Sequence, residues 1–136
     1  MTVVSSNDLD AQNIIDYWIE SSDEDYKTML DLFHTKNYRW ALFIGHLVIE
    51  KLLKAYYAKI HKDYPPMLHD LRRIGEKSGI VFDNNKLIIV ETISQFNIQA
   101  RYDDYKRNFY RLCTPEYTAT WIENIKETRL WIKTML

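Results

Sequence analysis

Glycine and proline are scarce in this chain. Its 136 residues include three of each, roughly a third of what average usage of about 7% and 5% would supply. β-Sandwiches and barrels need a turn signal every 8–12 residues or so, and dinucleotide and P-loop sites need clustered glycines, so the scarcity argues against each of these classes. Cysteine is scarcer still. Cys113 stands alone, which excludes an internal disulfide framework and any multi-cysteine zinc site and fits a reducing, cytoplasmic setting. No basic segment followed by an apolar one opens the sequence, so no signal peptide is expected. Long uninterrupted apolar runs are missing too. The most apolar stretch, residues 41–58, carries His46, Glu50, Lys51 and Lys54, the pattern of a buried helix rather than a membrane span.

What is present is core material. Hydrophobic residues make up 46% of the chain and aromatics 14%, with four Trp and ten Tyr, enough to fill one core. The length favours one domain over residues 1–136. The net charge of −1 conceals a segregation. Residues 1–34 hold eight acidic side chains and one basic (net −7), residues 35–111 hold fourteen basic and eight acidic (net +6), and residues 112–136 hold three of each. Two arrangements fit: an acidic N-terminal segment packed beside a basic middle one, or a basic surface for an anionic partner.

Apolar periodicity and capping residues predict the helices. A first helix follows Ser6-Asn7-Asp8 and runs through Trp18, burying Leu9, Ile14, Ile15, Trp18 and Ile19. Ser21 with Glu24 three residues later forms a capping box for a second, carrying Tyr26, Met29, Leu30 and Phe33. Asn37 caps a third, to about residue 61. There Ala41, Leu42, Ile44, Gly45, Val48, Ile49, Leu52, Leu53, Ala55, Tyr56 and Ile60 cover about half the circumference, while Arg39, His46, Glu50, Lys54 and Tyr57 share a strip about 80° wide. So wide an apolar arc places this helix at the centre of a bundle with one polar seam. Pro65-Pro66 lies in the loop that ends it. A short helix over residues 69–78 closes at Gly79. The next starts at Asp83 or Asn84 and runs over residues 86–100 with Ile89, Val90, Ile93, Phe96 and Ala100 on one face. Thr114-Pro115-Glu116 opens the last, with Tyr117, Trp121, Ile125, Ile132 and Met135 on one face. The expected fold is all-α, an antiparallel up-and-down bundle of about four or five helices with one short side helix.

Glu50-Lys51-Leu52-Leu53-Lys54-Ala55 on the central helix, the Pro-Pro loop, His69-Asp70-Leu71 and then Ala100-Arg101-Tyr102 form an ordered set. Together they resemble the HEPN family over roughly residues 10–135. The resemblance implies an all-α bundle that commonly forms homodimers. Family members are often encoded beside minimal nucleotidyltransferases, some in toxin–antitoxin pairs. Many are metal-independent RNases that use an Arg, a polar residue, a few spacers and a His. Others lack that motif and bind nucleotides or partners. Here no histidine follows any arginine from Arg101 to Arg111, and none occurs after His69. The general base that attack by an RNA 2′-OH needs is absent from its expected place.

The expected function is therefore a non-catalytic module that binds a nucleotide or a minimal nucleotidyltransferase, as a homodimer, with no cofactor and no metal. Its expected ligand-binding residues are Glu50, Lys51, Lys54, His69, Asp70, Arg101 and Tyr102. The alternative is a metal-independent RNase toxin with a displaced site, at Arg39 and His46 or near Arg107. Arg39 and His46 point the same way along the helix about 10 Å apart. His46 and Glu50, at i and i+4, supply two ligands, too few for a metal, and a buried His hydrogen-bonded to Glu50 is the expected arrangement. Asp70 stabilises the start of the short helix, where the family's usual Ser or Thr cap is replaced by Leu68. Between Gln99 and Arg111, basic residues alternate with Tyr102, Tyr105, Phe109 and Tyr110, the composition of a single-strand binding surface, opposed by Asp103 and Asp104. A seam that merely fixes helix register accounts for the same polar residues.

Overall fold

The computed structural model describes residues 6–136, with side chains from residue 10 onward. The expected burial of Leu9 therefore lies outside the described residues. Six helices follow in order: α1 (Ser6–His34), α2 (Tyr38–His61), α3 (Leu71–Lys77), α4 (Asn84–Arg101), α5 (Asn108–Leu112) and α6 (Pro115–Met135). No strand occurs among the described residues. The protein is all-α, with α1, α2, α4 and α6 forming an up-and-down bundle.

α2 is the hub and touches each of the other five helices. Leu42, Val48, Ile49, Leu52 and Leu53 are wholly buried along it, so its apolar arc meets neighbours on nearly every side. Ile60, assigned to that arc, is exposed at the last turn. Gly45 marks the closest approach in the core. A Cβ there would collide with Ile125 of α6 and crowd Met29 of α1, so the missing side chain is what lets three helices converge.

One boundary differs from expectation. The two helices predicted over residues 6–34 are one, and the capping box at Ser21 and Glu24 does not form. No Gly or Pro interrupts the segment, and Ser21 and Ser22 have partners on α2 instead. Ser22 Oγ donates to the Val48 carbonyl at 2.7 Å, and Ser21 Oγ accepts from Lys51 Nζ at 2.7 Å. A hydroxyl engaged across a helix pair leaves its own helix intact. α1 then turns into α2 through Thr35–Asn37, with Lys36 left-handed at φ 64°.

Asn37, expected to cap α2, makes no side-chain capping bond and donates its amide to Thr35 Oγ1 at 2.9 Å instead. Two later starts follow their caps. Asp83 accepts from Lys86 N, and Thr114 accepts from Tyr117 N. α3 begins two residues later than predicted because Asp70 is its cap, accepting from Arg73 N, rather than a first-turn residue. α5 is a second short helix, where sequence periodicity shows only an aromatic and basic segment.

Candidate functional site

The polar strip of α2 becomes a buried seam facing α4 and the loop before α3. His46, Glu50 and Lys54 lie one turn apart on one face, with only 0%, 4% and 6% of their surface exposed. Burial of this kind is stable only when each charge is paired. Glu50 Oε2 accepts from Lys54 Nζ at 3.3 Å and Oε1 from His69 Nδ1 at 2.8 Å. His46 Nε2 donates to the His69 backbone carbonyl at 3.0 Å. Its Nδ1 is buried and unpartnered. Burial pushes the His46 pKa down, with the charges of His69 and Arg101 acting in the same direction against the His69 carbonyl and Glu50. A neutral imidazole with its proton on Nε2 satisfies this geometry.

His69 is held at two points. Its carbonyl is bound by His46 and its ring by Glu50, while the next peptide is pinned to α4 through Leu71 N, which donates to Ser94 Oγ at 3.1 Å. With Nδ1 engaged, its side chain is still 65% exposed. Leu68 takes no capping part and packs against the core. At the other end of the seam, Arg101 closes α4. It donates from Nε to the Asn97 carbonyl and from Nη2 to Asn97 Oδ1, both at 2.9 Å. Its guanidinium stands 5.4 Å from the Phe43 ring and 5.2 Å from that of Tyr102. Arg101 and Tyr102 are exposed.

The structure thus brings together His46, Glu50, Lys54 and His69, with Arg101 and Tyr102 at the open end. Lys51 points elsewhere, to Asp25 of α1 at 2.6 Å. Asp70 is occupied as a cap. Arg39 lies apart from His46, over the Trp40 ring at 4.6 Å, where its charge acts on Asp103 and Cys113. Burial, with Asp103 next, pushes the Cys113 thiol up to about 12, the opposite of a nucleophile. Among the described residues no group of three His, Cys, Asp or Glu gathers to hold a metal, and no helix is long and apolar enough to cross a membrane.

The acidic pair that opposed a binding surface between α4 and α5 is engaged in folding that loop. Asp103 accepts from the backbone N–H of Asp104, Phe109 and Tyr110 at 2.9–3.0 Å. Burial would raise its pKa, but these donors and Arg39 hold it below the usual 3.8. Asp104 accepts from Asn108 at both oxygens. The outward groups are Tyr102, Tyr105 and Tyr110 with Arg107, whose guanidinium lies 3.8 Å from the Tyr110 ring. A cleft of about 290 Å³ opens here between Tyr102, Asn108 and Leu112.

Asn97 and Ser94 are the seam members that sequence reasoning missed. The signal for Asn97 was its place four residues before Arg101, inside an otherwise apolar face. Compared with known families, residues 15–135 match the HEPN domain. Comparison with curated proteins and with solved structures gives no match.

Proposed function

The chain belongs to the HEPN domain family, and from that premise we propose that it is a non-catalytic module binding a nucleotide, or a minimal nucleotidyltransferase partner, through the open end of its seam. One observation carries this. The deep members Glu50, Lys54 and His46 are engaged with one another or with His69, whereas the side chains of His69, Arg101 and Tyr102 are turned outward. A guanidinium pairs with phosphate oxygens in a fixed fork, and a flat phenol ring offers a stacking face to a base. The neighbouring Arg107 and Tyr110 extend that chemistry toward α5. The deep network holds the loop at His69 and fixes register; the rim binds. Assembly as a homodimer, a place in a toxin–antitoxin pair and a single domain over residues 1–136 belong to the same proposal.

The test is a nucleotide panel read by thermal shift, with a pull-down against the product of the adjacent gene. Stabilisation by a nucleotide, lost in Arg101→Ala and kept in Lys126→Ala, supports the proposal. No shift with any nucleotide and no captured nucleotidyltransferase overturns it.

A second function, metal-independent RNA cleavage, is favoured by one arrangement. Glu50 grips Nδ1 of His69 and leaves the other ring nitrogen for solvent, the way a carboxylate orients a general base. His46 is unsuited to that role, being buried with Nε2 already donating. Cleavage of RNA by the parent that disappears in His69→Ala assigns the base. No cleavage by the parent removes this function.

A further inference from the structure

Three aromatic side chains line an open pocket on the surface where α1 passes the α2–α3 loop. Ile14, Tyr17 and Trp18 of α1 and Tyr64 of the α2–α3 loop line a cavity of about 510 Å³, with Asp10 and Asn13 at its rim. Tyr17 and Trp18 form a corner. Their ring centroids are 5.1 Å apart and the planes stand at 76°. Tyr64 supplies the third wall from a stiff loop. Pro65 biases its backbone toward extended conformations, and its N–H donates to Asp63 Oδ1 at 2.7 Å. Tyr17 is 60% exposed and Tyr64 75%, so two large rings stand largely in water.

We propose that this corner is a binding site for a quaternary ammonium head group. The shape selects the ligand. A flat nucleobase can stack on only one wall of a perpendicular corner, whereas a rounded trimethylammonium can touch two walls at once. The electrostatics agree. Ring faces carry negative quadrupole potential and attract cations, Asp10 adds a carboxylate at the rim, and residues 1–34 hold a net charge of −7. Lys54 Nζ, 5.2 Å from the Trp18 centroid, is buried, does not line the cavity and is neutralised by Glu50. A quaternary head is preferred to a primary ammonium, which would surrender hydrogen bonds to water and find few acceptors here beyond Asp10 and Asn13. The site lies away from the Arg101 and Tyr102 rim and stands independently of the function proposed there.

The head group can come from a small molecule such as choline or from a trimethylated lysine on a protein tail. Titration of the full chain, followed by calorimetry and by ligand-observed NMR, uses choline, its neutral isostere 3,3-dimethylbutan-1-ol, and a lysine peptide with and without trimethylation. Choline is expected to bind with a dissociation constant of about a millimolar, at least about fivefold tighter than the isostere. Tyr64→Ala weakens it about tenfold and Asp10→Asn about threefold, both at unchanged melting temperature. A trimethylated peptide binding tighter than choline assigns a protein tail as the source; one binding no tighter assigns the small molecule. Equal binding of choline and the neutral alcohol, no choline binding at tens of millimolar, or affinity untouched by Tyr64→Ala overturns the proposal.

Discussion

At the scale of single residues, His46 couples the seam to pH. Burial, the largest cause, holds its folded pKa below the ordinary 6.5. Between that lowered value and 6.5 the unfolded chain binds a proton that the folded chain does not, so stability is full above 6.5 and is lost as pH falls through the folded pKa. The loss reaches at most about 1.4 kcal/mol per pH unit from one group. Asp23, Asp83 and Asp103, also held low, add a separate loss below 3.8. Urea unfolding at pH 7.5, 6.0 and 4.5 should show the first decline. In His46→Gln, whose side-chain amide still donates to the His69 carbonyl, the decline between pH 6.5 and 4.5 should be shallower; an unchanged slope assigns it to other groups. Residue chemistry was legible at His46, Glu50 and Lys54, where an i, i+4 polar strip on an apolar helix demands internal pairing. The outward turn of Lys51 toward Asp25 was not legible, because a neighbour on the same helix belongs to a different interface.

Between elements, the tightest constraint is Gly45. A methyl group there runs into Ile125 and approaches Met29 within 3.1 Å. Gly45→Ala gains helix propensity of about 1 kcal/mol, but forcing three packed helices apart costs about 1–3 kcal/mol. The balance is a loss, read as a lower urea midpoint with an unchanged slope; a stabilised variant means that Ile125 repacks without strain. Element boundaries followed local chemistry wherever a cap met an unobstructed start, as at Asp83 and Thr114. They departed from it at Ser21, where the same hydroxyl that would cap a helix in isolation bonds to Lys51 across the α1–α2 pair. The short α5 escaped notice because its start is set by the Asp103 carboxylate gathering Phe109 and Tyr110 amides from six and seven residues away.

Across the whole molecule, α2 stands at the centre and α3 and α5 at the margin. Backbone opening of a helix buried on nearly all sides requires the bundle to come apart, whereas helices of seven and five residues open locally. Hydrogen exchange should therefore find amides of Leu42–Leu53 the most protected and those of α5 among the least. Equal protection of α5 and α2 would contradict this hierarchy. The up-and-down arrangement and the central helix follow from features within each segment: periodicity, caps, and too few glycines and prolines for other folds. Those features act over one or two helical turns, so the order of residues alone determines them. Which polar groups meet depends on how finished helices dock. Docking directs Glu50 to His69 rather than to Lys54 alone and sets Arg39 beside Asp103 instead of His46. Such contacts span tens of residues, and their partners are chosen by the packing of apolar surfaces that carry no record of them in local sequence.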